Sequence, residues 1–182
     1  GPIFVKGGLY KITIDIEAAT SPRTVLADRL SYDTFVSVAQ EQPFFIQTAN
    51  AEVPVIVKTY YDDVDNFKFD QSDNSIAFDM PFDWSPDYVN LVQVVHEEVR
   101  VPKTFAPYAE GKQFKGYVNG VEIDQRALLN DPYSYDDTNI VHFLITKTEL
   151  QKINETLGTG NYDNKKMDLK LVPLSEVSKS ST

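Results

Sequence analysis

Residues Leu9 to Ala18 alternate without a break: Tyr10, Ile12, Ile14, Ile16 and Ala18 fall on one side of an extended chain, and Lys11, Thr13, Asp15 and Glu17 on the other. A period of two marks a half-buried strand with one wet face, because successive side chains point to opposite faces of the pleat. Short runs of the same character return at Thr34 to Ala39, Phe44 to Thr48, Val53 to Tyr61, Asn66 to Asp70, Ser75 to Met80 and Leu91 to Val101. Others follow at Phe114 to Val118, Val121 to Leu128, Ile140 to Lys147 and Met167 to Val172. About ten such strands, with no strand-helix-strand rhythm, predict a mainly β fold: an antiparallel β-sandwich or a flattened barrel.

The punctuation between these runs is of several kinds. Asn119-Gly120 is the strongest hairpin signal, since both central positions of a type I′ turn need positive φ. Gln71 to Asn74 reads as a polar turn joining two strands whose phenylalanines face one core. Thr20 to Tyr32, with Ser21-Pro22, reads as a connector, and Lys103 to Gln113 and Asn130 to Asn139 as loops. Ser85-Pro86-Asp87 opens a short helix with proline at its first position. From Thr146 to Gly158 the period changes: Leu150, Ile153 and Leu157 recur at helical spacing, and Gly158 supplies a stop. Either Thr146 with Glu149 or Thr148 with Gln151 offers a capping box. The expected organisation is one domain over residues 1–174 and a disordered polar tail over 175–182.

A chain of 182 residues can bury roughly 70% of its unfolded surface, enough for a real core. With 17 basic and 27 acidic residues the formal charge is −10, which repels phosphate backbones and argues against nucleic acid as a partner. Cysteine is absent, which excludes disulfides, thiolate metal sites and a cysteine nucleophile. No run reaches the about 18 apolar residues of a membrane span, so direct insertion is not expected. Gly1-Pro2 resembles the scar of a protease cleavage, which leaves room for a leader or anchor in a longer protein.

Two histidines, His96 and His142, are the whole complement, and each lies mid-strand. On an unbroken strand Val92, Val94, His96, Glu98 and Arg100 share a face, opposite Val95, Glu97, Val99 and Val101. If the two histidine strands meet, His96, His142 and Glu98 form a donor set suited to zinc or copper. The alternative is that each imidazole is partly buried and satisfied by one hydrogen bond. Asp62, Asp63, Asp65, Asp70, Asp73, Asp79, Asp83 and Asp87 concentrate acid in one stretch, and Asp131, Asp136 and Asp137 in another. These are either calcium-attracting loops or a solvated acidic surface. Tyr60, Tyr61, Tyr133, Tyr135 and Trp84 lie beside them and offer flat faces, with carboxylates nearby, to a sugar or a protein partner.

Met80-Pro81-Phe82-Asp83-Trp84, Val95-His96-Glu97-Glu98-Val99 and Pro102-Lys103 resemble segments of a group of secreted or surface β-domain proteins of ammonia-oxidising archaea. The Leu9-Tyr10 strand entry and Val118-Asn119-Gly120 extend the likeness. The resemblance implies an extracellular address, with the tail from Ser175 as a spacer before an anchor. It brings no activity or ligand residue, and it makes copper a relevant metal.

The expected function is therefore a non-enzymatic extracellular surface or interaction module that binds glycan or a surface protein through the Tyr- and Asp-rich loops. Two alternatives stand beside it. One is a copper- or zinc-binding domain built on His96, His142 and Glu98. The other is a glycan hydrolase, which needs two carboxylates about 5 to 9.5 Å apart. No nucleophile elbow, phosphate loop or dinucleotide fingerprint is present.

Overall fold

The computed structural model describes residues 6–17, 20–21, 24–25, 29–49 and 51–174. The terminal tail anticipated from Ser175 and the Gly1-Pro2 pair lie outside the described residues. Among these residues the fold is mainly β, with two five-stranded antiparallel sheets, neither closed into a barrel, and two α-helices.

In chain order the strands are β1 (Gly8–Glu17), β2 (Thr20–Ser21), β3 (Thr24–Val25), β4 (Arg29–Val38), β5 (Gln40–Gln47), β6 (Glu52–Thr59) and β7 (Asp65–Asp70). Then come β8 (Ser75–Pro81), helix α1 (Pro86–Leu91), β9 (Val94–Pro102), β10 (Phe114–Val118), β11 (Val121–Glu122) and β12 (Leu128–Asp131). The last described elements are β13 (Thr138–Thr146), helix α2 (Lys147–Leu157) and β14 (Lys166–Pro173). One sheet runs β12-β13-β9-β6-β5 and the other β11-β10-β14-β8-β7. Their inner faces supply Val55, Val57, Val95, Val99, Val141, Phe143 and Ile145 from the first, and Ile76, Phe78, Met80, Val118, Met167, Leu169 and Leu171 from the second. This alternation is what the sequence pattern demands of two sheets packed face to face.

Trp84 is fully buried in this core. Its ring N–H donates to the Lys166 carbonyl at 2.8 Å, and Asn154 donates to its own carbonyl at 3.0 Å, tying β14 and α2 to the segment after β8. The expectation that Trp84 presents a sugar-binding face is thereby overturned. Met80, Phe82 and Trp84 continue a period of two, and all three point inward.

Several local expectations hold. Asn119 and Gly120 adopt φ of 47° and 79°, the conformation of the anticipated turn. Helix α2 begins at Thr146, whose hydroxyl accepts from Glu149 N–H, and Gly158 follows it at φ 71°. Pro86 occupies the first turn of α1. Ser85 makes no side-chain cap there; instead Asp83 accepts the Ser85 N–H. Other expectations change. The strand anticipated from Leu91 starts at Val94, because Leu91 ends α1. The strand anticipated over Val121 to Leu128 is only two residues long: Asp124 caps a 3₁₀ turn at Gln125–Ala127, and β12 then joins the opposite sheet.

The largest departure is at the start of the chain. The supposed connector ends in strand β4, which pairs with β1 through ten positions from Gly8↔Val38 to Glu17↔Arg29, and Thr20↔Val25 and Ser21↔Thr24 extend the pairing. This two-stranded ribbon is about 33 Å long at strand rise. Only Ala39 separates β4 from β5, so one nearly continuous strand pairs first with β1 and then with β6, the change falling between Val38↔Gly8 and Gln40↔Thr59. Leu9 N–H donates to the Tyr61 carbonyl at the junction. The ribbon's apolar face is not half-buried along its length: Ile14, Ile16, Leu30 and Tyr32 are exposed.

Candidate metal centre

The outward-pointing residues of β9 and β13 build the site. Antiparallel pairing sets His142 opposite Glu98 and Leu144 opposite His96, so the two histidines are diagonal neighbours on the outer face of the first sheet. On the other side of β9, β6 brings Lys58 opposite Glu98. The face predicted for His96, Glu98 and Arg100 is the one observed, and the β9-β13 register adds His142 to it.

His96 Nε2 lies 3.1 Å from His142 Nδ1. Glu98 Oε1 is 3.9 Å from the first nitrogen and 4.0 Å from the second. Among the described residues this is the one group of three or more carboxylate or imidazole ligands whose donor atoms all lie within 4.8 Å of one another. An ion about 2.1 Å from both nitrogens would see them at roughly 95°, about 15° tighter than tetrahedral, so the two rings would part by about 0.3 Å on binding. Glu98 Oε1 would have to close by roughly half an ångström to complete a three-ligand set.

The surroundings fix each ligand. Arg100 donates to Glu98 Oε2 from Nε at 3.0 Å and Nη2 at 2.7 Å, and Tyr60 donates to Oε1 at 2.8 Å. Burial alone would raise the Glu98 pKa, but the bonds from Arg100 and Tyr60 outweigh it and hold the carboxyl below its ordinary value. Tyr60 stacks on His96 with ring centroids 4.3 Å apart and planes 4° from parallel. Burial lowers both imidazole pKa values; the neighbouring His142 lowers that of His96 further. Both rings are therefore neutral near pH 7, each with one lone pair. If His96 carries its proton on Nδ1 and His142 on Nε2, the two facing nitrogens become a chelating pair without release of a proton.

Lys58 and Arg100 stand beside the carboxylate and Glu41 pairs with Arg100 in turn, so the charges around the site are close to balanced before any ion arrives. That environment disfavours a hard cation held by charge alone and leaves nitrogen donors as the attraction.

Glu97, next to both ligands in sequence, points the other way and is fully buried between the sheets. The Thr59 hydroxyl has one proton, which goes to the Asp62 carbonyl at 2.6 Å. The 3.1 Å contact between Thr59 Oγ1 and Glu97 Oε1 then needs a proton from the carboxyl. Burial raises the Glu97 pKa well above the ordinary range, in agreement with a protonated acid.

The remaining expected contact residues do not form one surface. Tyr61 is buried, with its hydroxyl against that of Tyr88. Asp62 and Asp63 are half-buried, Asp65 is exposed, and Asp63 pairs with Lys6. Tyr133 and Asp136 are exposed, and Tyr135 lies under the Arg100 guanidinium at 5.4 Å from its ring centroid. Of the two readings of the acidic stretches, the pairing of their aspartates with lysines favours the solvated surface. Asp73 pairs with Lys170, Asp79 with Lys166 and Asp83 with Lys165, and no acidic trio converges among the described residues. Sequence reasoning placed Arg100 on the face of Glu98 but did not anticipate its paired bonds to that carboxylate, nor Tyr60 as the ring stacked on His96, nor Lys58 as a neighbour of Glu98. The two-residue spacing of Tyr60 from Lys58, and of Arg100 from Glu98, was the available signal.

Comparison of the chain with protein-family models, with curated proteins and with solved structures finds no match.

Proposed function

We propose that this protein is a binding domain that takes a divalent transition ion, zinc or copper, at His96, His142 and Glu98 on the outer face of its first sheet. The observation that carries the reading is the convergence of two neutral imidazole nitrogens 3.1 Å apart with a carboxylate pinned by Arg100. Three protein ligands leave a fourth tetrahedral position open to water or to a partner's side chain. A cell-surface address belongs to the same reading and rests on the resemblance carried by Met80 to Trp84 and Val95 to Val99. No helix among the described residues is long and apolar enough to cross a membrane.

Calorimetric titration of the full chain with zinc and with copper(II) tests the proposal. Saturable binding of one ion is expected, weakened more than about 100-fold in His96→Ala and in His142→Ala. Because burial keeps both imidazoles neutral, affinity should hold from about pH 8 down to the ordinary histidine value and fall below it, as protons compete for the nitrogens. Equal binding by the wild type and the double variant would end the proposal.

A further inference from the structure

We propose that the outer face of the second sheet is a binding groove for a neutral oligosaccharide. The groove is independent of the histidine site, which lies on the other sheet.

A depression of about 690 Å³ runs over this face, within the range of ligand-sized clefts. Its floor follows from cross-strand register. Tyr117 of β10 pairs with Lys170 of β14, which pairs with Ala77 of β8, which pairs with Lys68 of β7. The row crosses four strands, about 14 Å at the usual strand spacing. Its smallest side chain, Ala77, sits between Lys170 and Lys68, so the row dips at β8 with a long side chain on either side. Tyr117 closes one end with an aromatic ring, and Lys68 closes the other.

The next row holds Asp168 opposite Asp79. Lys166 reaches Asp79 at 2.9 Å and Asp168 at 2.8 Å, Asn66 donates to both Asp79 oxygens at 3.1 Å, and Lys170 reaches Asp73 at 2.9 Å. These pairs hold carboxylates and ammonium groups in fixed positions while leaving hydrogen-bonding capacity on both, since an ammonium has three donors and a carboxylate about four acceptor sites. Lys68 stands within electrostatic reach of Asp79.

Charge decides the ligand class. The lining carries three lysines (Lys68, Lys166, Lys170) and three aspartates (Asp73, Asp79, Asp168), so it is balanced within a chain of net charge −10. A balanced groove has no excess charge with which to select an ionic ligand. Each hydroxyl of a sugar ring both donates and accepts, and adjacent hydroxyls match adjacent ammonium and carboxylate groups. The less polar face of the ring suits Tyr117.

The test is amide NMR titration of the isotope-labelled full chain with soluble cello-, manno-, xylo- and chito-oligosaccharides, followed by calorimetry on those that bind. Saturable shifts at Lys68, Ala77, Tyr117 and Lys170 are expected with at least one of the four. Tyr117→Ala should weaken binding about 3- to 10-fold, and Ala77→Arg, which fills the depression, should abolish it. Both variants should retain the wild-type circular dichroism spectrum and zinc titration, so a failed groove is distinguishable from a failed metal site. No saturable shift with any of the four sugars, or binding left unchanged by both substitutions, would overturn the proposal.

Discussion

The β1-β4 ribbon and the β9-β13 pair obey the same alternation and meet opposite fates. Val95, Val99, Val101, Val141, Phe143 and Ile145 are buried against a second sheet. Ile14, Ile16, Leu30 and Tyr32, equally regular in sequence, are 47%, 45%, 58% and 62% exposed. Period two therefore fixes that a strand forms and which side chains share a face. Whether another layer covers that face depends on tertiary partners tens of residues away.

Three measurements sharpen or break this contrast. Trp84→Ala removes the largest core ring and leaves the Lys166 carbonyl without its donor; urea unfolding should show a loss of about 3–5 kcal/mol. A loss below about 1 kcal/mol would mean that the sheet interface is far looser than its burial implies.

Next in size is the pH response of Glu97. Its folded pKa is raised from an ordinary 4.5, so its contribution is fully present below that value. As pH climbs above 4.5 the unfolded chain sheds this proton while the folded chain keeps it, and stability declines by up to about 1.4 kcal/mol per pH unit until the folded pKa is reached. Glu97→Gln should remove that decline. Parallel pH profiles for wild type and variant would show instead that the carboxyl ionises at its normal value.

The smallest effect belongs to the ribbon. Ile16→Ser should change stability by no more than about 0.5 kcal/mol. A cost near that of Trp84→Ala would show that the apolar face is covered in solution, and its dependence on protein concentration would show whether a second copy covers it.

What the residues revealed in advance follows from how local each cause is. Asn119-Gly120 and the Thr146 to Gly158 helix were legible because turn conformation and capping depend on neighbours in sequence. The common face of His96, Glu98 and Arg100 was legible for the same reason. The approach of His142 was not, since it depends on the register of strands some forty residues apart. Trp84 misled because an aromatic beside aspartates suits both a ligand platform and a core; the inward period of Met80, Phe82 and Trp84 was the better guide. Pro22 suggested a connector, yet Thr20↔Val25 and Ser21↔Thr24 pair in sequence between Glu17 and its own partner Arg29. The Lys68-Ala77-Lys170 groove left no trace in sequence, because its three strands are adjacent only in space.

The strand that runs from Arg29 to Gln47 with Ala39 at its middle has a mechanical consequence. Tension applied at the far end of the ribbon reaches the sandwich along a single covalent path that ends in the outermost strand of the first sheet. An antiparallel ladder pulled from one end opens rung by rung instead of resisting as a block. The rungs first loaded are therefore those of β5 with β6, beginning at Gln40↔Thr59, while His96 on β9 lies two strands further in and His142 on β13 three.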